Sequence, residues 1–146
     1  EVLKLIAEAD IILATGHQSV REIKIVVDAA LAAGVRKILI NHPELWLIGM
    51  SIEDQCALAA KGAMLEMCIR SVTARAKEGL TPTLLADQIK GVGAQSVVMA
   101  TDFGQTDSPP APEGLCRYIG HMLDCGIPAA DIEAMTKANP ARLLGL

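Results

Sequence analysis

Three short apolar runs in this 146-residue sequence each end on a side chain that can bind a metal or carry a proton. Ile11-Ile12-Leu13 runs into Ala14-Thr15-Gly16-His17. Ile38-Leu39-Ile40 ends in Asn41-His42-Pro43-Glu44, and Val97-Val98-Met99-Ala100 ends in Thr101-Asp102-Phe103-Gly104. Two imidazoles and a carboxylate are donors that zinc and related metals take, and a catalytic site of that kind leaves one position open for water. The metal makes that water acidic enough to lose a proton near neutral pH. Asp102 would then bind the metal or accept the proton. A single turn histidine is usually structural; it is the recurrence at three strand ends that points to a site.

Other residues are candidates of a second order. Glu66 is one carboxylate among Met64, Leu65, Met67 and Cys68. An unpaired buried carboxylate is costly, so Glu66 is expected to be a metal ligand, a group orienting a ligand histidine, a substrate contact, or half of a salt bridge to Arg70 or a nearby lysine. Glu44 and Trp46 follow His42 and can shape a pocket wall, Trp46 equally a plug in the core. Gln105 and Asp107 lie in the Pro-rich loop after Asp102, where they either touch a substrate or make the turn. His121 reads as a surface or helix-packing residue. Gly91-Val92-Gly93 precedes a strand, whereas a dinucleotide fingerprint follows one. No P-loop or nucleophile elbow occurs.

The elements that must position these groups are βα units. Residues 2–9 have helical spacing, and 10–14 read as a strand. Ser19 with Glu22 forms a capping-box pattern that opens a helix to about residue 33. Residues 36–41 are a second strand, continuously apolar as in a parallel sheet covered by helices. Residues 43–50 form an irregular loop, and Ser51 caps a helix over 52–61. The third strand is 63–69, followed by a long loop over 71–81 and a helix entered through Pro82. Residues 95–101 are the fourth strand. Pro109, Pro110 and Pro112 mark 104–114 as irregular. Helices over 113–125 and 129–138 and a short turn from Asn139 finish the chain.

Strand starts recur about every 30 residues, the rhythm of βα units. The fold class is α/β, with four consecutive βα units in a single domain over residues 1–146. It fits an open doubly wound sheet or half of a (β/α)8 barrel, since a whole barrel needs about 250 residues. Both put functional groups at the carboxyl ends of the strands.

Composition excludes several classes. The aromatic residues are one Trp, one Tyr and one Phe, too few for a base-stacking platform. The net charge is −4 with Lys and Arg scattered over helix faces (Lys24, Arg36, Lys37, Arg70, Arg75, Lys77, Lys90), so no nucleic-acid patch is evident. No apolar run is long enough to span a bilayer. Cys56, Cys68, Cys116 and Cys125 have no CxxC spacing, and reduced, mostly buried thiols in a cytoplasmic protein are expected.

The strand-end segments Thr15-Gly16-His17, Asn41-His42-Pro43-Glu44 and Ala100-Thr101-Asp102-Phe103-Gly104, followed by Asn139-Pro140-Ala141-Arg142-Leu143-Leu144-Gly145-Leu146, together resemble the carboxyl-terminal half of the amidohydrolase superfamily. The TatD-type deoxyribonucleases and the phosphotriesterase relatives are the similar groups. The resemblance implies a TIM-type barrel, of which this chain is the second half, holding one or two divalent metals, zinc first and manganese or iron as alternatives. It implies that His17 and His42 bind metal and that Asp102 binds metal and accepts the proton. The family's first strand carries a His-x-His pair and its fourth often a bridging Lys or Glu; neither is in this sequence. The chain is therefore expected to be a fragment of a larger hydrolase, without a cofactor if those ligands are truly absent.

The expected function is metal-dependent hydrolysis of an amide, ester, lactone or phosphoester in a small-molecule substrate. The alternative is a non-catalytic α/β half-barrel that self-associates or binds a small ligand. Either way a homo-oligomer, or association with an amino-terminal half, is expected, because edge strands at 11–14 and 96–100 would otherwise be open.

Overall fold

A computed structural model of the chain describes residues 1–73 and 80–146. Its strands are β1 (Leu13–Ala14), β2 (Ile38–Asn41), β3 (Met64–Cys68) and β4 (Val97–Ala100). All three pairings are parallel and the spatial order is the chain order, β1-β2-β3-β4. This order separates the two expected architectures. A doubly wound sheet reverses its order at a switch point. An unreversed order with right-handed crossovers puts every connecting helix on the same face, as in a barrel.

The helices are α1 (Val2–Glu8), α2 (Val20–Ala32), α3 (Ile52–Ala60), α4 (Pro82–Val92), α5 (Ala111–Asp124), α6 (Ala129–Glu133) and α7 (Asn139–Leu144). Their starts follow from local chemistry. Ser19 accepts from the Glu22 amide while Glu22 reaches back to Ser19, a complete capping box. Ser51 accepts from the Asp54 amide, and Thr81 from that of Leu84 with Pro82 beginning the helix.

Alternation along the strands sorts the sheet into two faces. Ile38, Ile40 and Leu65 pack with Ile23, Val27 and Ala30 of α2 and Leu58 of α3. Met67, Val97 and Met99 pack with Leu85, Ala86 and Ile89 of α4 and with Tyr118 and Met122 of α5. The opposite face carries Leu39, Asn41, Met64, Glu66, Cys68 and Val98. Its apolar layer is thin: Met64, Val98 and Leu143 are buried, with Ile12 and Leu39 partly so.

Several boundaries differ from expectation, each for a local reason. The first strand is shorter than 10–14, because the Ile11 amide still bonds to Ile6 O at the end of α1 and the ladder begins where Leu13 N donates to Lys37 O. The fourth strand loses residues 95 and 96 to a 3-10 turn, Ala94–Ser96. The helix expected at 113 begins at Ala111, since Pro112 sits in the first turn, where no N–H is needed. The last helix continues past 138 through a π turn, Ala134–Ala138, into α7; Pro140 has no N–H to extend an α ladder. Ile69–Val72 forms a 3-10 turn at the start of the long loop, and residues 74–79, with Arg75 and Lys77, lie outside the described residues. The thiols are free. Cys68 alone is buried, so the expectation of mostly buried thiols is corrected: Cys116 is exposed on α5, Cys56 is half-buried on α3 with its thiol 3.4 Å from Gly91 O, and Cys125, just past α5, is half-buried against the core. Among the described residues no helix is long and apolar enough to cross a membrane.

Asn139 anchors the chain end. It is buried, and its amide nitrogen donates to Ala94 O at 2.8 Å and Val97 O at 2.7 Å, fastening α7 to the entry of β4. Asn139→Ala leaves both buried carbonyls without this donor and is expected to cost about 2 kcal/mol in urea unfolding. A loss below about 0.5 kcal/mol, the range of an ordinary surface change, would show that the anchor is dispensable.

Candidate metal centre

The carboxyl ends of β1, β2 and β3 meet at one rim. The register places Asn41 beside Glu66 on the face opposite α2, α3, α4 and α5. Asn41 Nδ2 donates to Glu66 Oε2 at 2.7 Å, and Asn41 Oδ1 accepts from Gly16 N at 2.9 Å. One amide therefore ties the turn before His17 to the strand before His42 and to the carboxylate on β3. Among the described residues no Lys or Arg pairs with Glu66. Arg70, the partner considered from sequence, donates to Ser108 Oγ at 2.8 Å and lies 3.7 Å from Asp107.

His17 and His42 are stacked, with ring centroids 5.2 Å apart and planes 10° from parallel. His42 is half-buried and His17 exposed. His42 and Asp102 both hold left-handed backbone, φ 49° and 54°. Left-handed backbone costs an L-residue about 1–2 kcal/mol, and such residues cluster at functional sites. Asp102 itself is exposed at the end of β4. Phe103 beside it packs on α5 where Gly114 leaves room: a Cβ at Gly114 would strike the ring.

The tightest donor cluster combines residues from two strands. His42, Glu66 and Cys68 offer ligand atoms that all lie within 4.8 Å of one another. His17 and Asp102 are outside that cluster, His17 against the His42 ring. Cys68 was not singled out by sequence reasoning. The usable signal was the spacing Glu66-x-Cys68, which puts both side chains on one face of a strand.

Glu44 is a tether. It is buried, with Oε1 accepting from the Cys68 amide at 3.1 Å and lying 2.5 Å from Ser71 Oγ. Ser71 Oγ is also 2.7 Å from Cys68 O. One hydroxyl hydrogen cannot serve both acceptors, and a proton on Glu44 satisfies the pair. Burial raises the Glu44 pKa in the same sense, against the lowering effect of Ser71, the Cys68 amide and His42. Burial, then the nearby carboxylates Glu66, Glu44 and Asp102, also push the Cys68 thiol up.

The remaining candidates sit to either side. Trp46 is 61% exposed and is no core plug; the loop turns it outward, where it borders a cavity of about 150 Å³ with Glu44 and Ser71. Gln105 Oε1 accepts from Ser108 Oγ at 2.9 Å, a contact within the turn. A cleft of about 430 Å³ adjoins the rim, lined in part by Arg70, Phe103, Ser108, Arg117 and His121.

Imidazole, carboxylate and thiol in one cluster suit a divalent transition metal, so the residues present fit the cation that the resemblance implies. Residues 1–66 match the family described as "Family of unknown function (DUF6282)", a segment that includes His17, His42 and Glu66 and stops short of Asp102. No curated protein matches. Among solved structures, the chain is similar to a beta-aspartyl dipeptidase from Fervidobacterium islandicum AW-1, determined with a beta-Asp-Leu dipeptide, at a TM-score of 0.58 and 14% identity. The likeness covers 84% of this chain and 34% of the dipeptidase, so the chain spans about a third of that enzyme's length. It is a likeness of fold.

The raised Glu44 pKa has a definite sign in stability. The native state keeps a proton that the unfolded chain releases at the ordinary carboxylate pKa. Stability is therefore full below that value and falls as pH rises through the window up to the raised native pKa. Glu44→Gln removes the titration, so the stability of the variant relative to wild type is expected to climb across that window in urea unfolding from about pH 4 to about pH 8. Parallel profiles would mean that Glu44 is ionised in the native state.

Proposed function

We propose that this chain carries part of the catalytic centre of a metal-dependent hydrolase of the amidohydrolase type. The observation that carries the reading is the meeting of His17, His42 and Glu66 at adjacent strand ends of a sheet in barrel order. Its strand-end layout follows the motif resemblance, and the fold likeness to a dipeptidase supports the same class.

In this reading His42 and Glu66 hold the cation, with His17 as a further donor or as a stacked support for the His42 ring. Zinc is the first expectation for such donors, with manganese or iron as alternatives. A divalent cation there would supply Lewis acidity, polarising a carbonyl or phosphoryl oxygen and acidifying water. Asp102 orients the attacking water, takes its proton on a carboxylate oxygen, and returns it to the leaving group. Asn41 keeps Glu66 aimed at the rim, and the adjoining cleft receives the substrate. The substrate is an amide, ester, lactone or phosphoester.

Residues 1–146 contain no His-x-His pair, so the donors that the resemblance assigns to the family's first strand are not among these residues. A second reading, a non-catalytic half-barrel that self-associates, draws on the half-covered inner face at Ile12 and Leu39.

The test is elemental analysis of the purified protein, followed by assay with zinc, manganese or iron against β-aspartyl dipeptides, esters, lactones and phosphoesters. Stoichiometric metal and metal-dependent turnover are expected. Asp102→Asn is expected to lower kcat by about 100-fold or more, with the metal retained if Asp102 serves only as base. Absence of both metal and turnover would overturn the hydrolase and leave the self-associating module.

A further inference from the structure

The cluster that could close on a metal with least rearrangement is His42, Glu66 and Cys68, within the 4.8 Å span given above. Around a tetrahedral dication with nitrogen, oxygen and sulfur donors at about 2.0–2.3 Å, neighbouring donor atoms stand about 3.4–3.7 Å apart. The cluster is thus about an ångström from closure, a distance that side-chain rotation covers. The backbone already places its members: Glu66 and Cys68 project from the same face of β3, and His42 follows Asn41, the register partner of Glu66. The hydrogen bond from Asn41 goes to Glu66 Oε2 and leaves Oε1 for another partner. A carboxylate oriented through one oxygen by a fixed amide is how ligand groups are commonly held. Cys68 is fixed in turn through its amide by Glu44.

We propose that His42, Glu66 and Cys68 form a mixed nitrogen, oxygen and sulfur zinc site within this chain, and that Cys68, rather than His17 or Asp102, supplies its third donor. The proposal rests on the metal-centre reading of this rim and specifies its ligands. Three protein donors are what catalytic zinc sites use, and a sulfur donor selects zinc or cobalt over magnesium, calcium or manganese. On binding, the thiol S–H bond is exchanged for a sulfur–metal bond and its proton passes to solvent; nothing is oxidised or reduced. His17 then steadies the His42 ring by stacking, and Asp102 stays available as a base.

Cobalt(II) titration of the fully reduced protein tests this without an activity assay. One equivalent is expected to bind with a sulfur-to-cobalt charge-transfer band in the near ultraviolet, and zinc is expected to displace it. A variant with Cys56→Ser, Cys116→Ser and Cys125→Ser, in which Cys68 is the sole thiol, is expected to keep the band, which locates the sulfur even if Cys68→Ser folds poorly. Cys68→Ser and His42→Ala are expected to lose it, and His17→Ala to retain it. Asn41→Ala is expected to weaken zinc binding by about 10–100-fold. One equivalent of cobalt without a sulfur band, lost in His17→Ala or Asp102→Asn, would overturn the Cys68 site while leaving the hydrolase reading intact. No binding of cobalt or zinc at all would overturn both.

Discussion

The pairing of Asn41 with Glu66 is the constraint on which the rim depends. Glu66 lies on the sheet face opposite α2, α3, α4 and α5, between the buried residues Leu65 and Met67 in sequence. A carboxylate there needs a donor, and the parallel register supplies one from the adjacent strand. The same amide accepts from Gly16, at the turn that leads to His17. A slip of one residue in this register would turn Glu66 into the helix-covered layer and Leu65 toward the rim. The apolar pattern of Ile38, Ile40, Leu65 and Met67 opposes that slip, so the hydrophobic layer on one face fixes the polar constellation on the other.

The segment Asn41-His42-Pro43-Glu44 works as a clamp with a projecting centre. Its first residue is tied to β1 and β3 through side-chain hydrogen bonds. Its last is buried and tied to the Cys68 amide and Ser71. Between them, His42 takes a left-handed backbone while its N–H still donates to Glu66 O at 3.0 Å. Anchors on both sides are what allow a non-glycine residue to hold that conformation. The two flanking polar residues thus hold the backbone on either side of the imidazole.

Much of this was legible in the sequence because it depends on local signals. The capping residues Ser19, Ser51 and Thr81, the strand runs, and the βα rhythm all act within a few residues of themselves. The placement of His17 and His42 at neighbouring strand ends followed from those elements. The partner of Glu66 was not legible, since choosing Asn41 over Arg70 requires the register between strands. Cys68 was missed for a related reason: a cysteine in an apolar run reads as a small hydrophobe, and only the meeting of β2 and β3 brings His42 to it. The start of the fifth helix was hidden by prolines, which stop a helix interior but are accepted in a first turn.

The electrostatics of the rim favour a cation over the other ligands such a cleft could take. Glu66 and Asp102 act on Cys68 in the direction that disfavours a further negative charge. In the adjoining cleft the Arg70 guanidinium is directed to Ser108 and Asp107, and that of Arg117 to Glu113. An anionic ligand placed beside Glu66 would meet this field unscreened, because the site is partly buried and salt screens such positions weakly. A dication would reverse the balance, since its charge is the largest local term wherever it binds and it stabilises carboxylate and thiolate together. Among the described residues the partner hydrogen-bonded to Glu66 is the neutral Asn41 amide. A carboxylate held in place by a neutral amide, with an imidazole and a thiol in reach, is a setting that binding a divalent metal would stabilise.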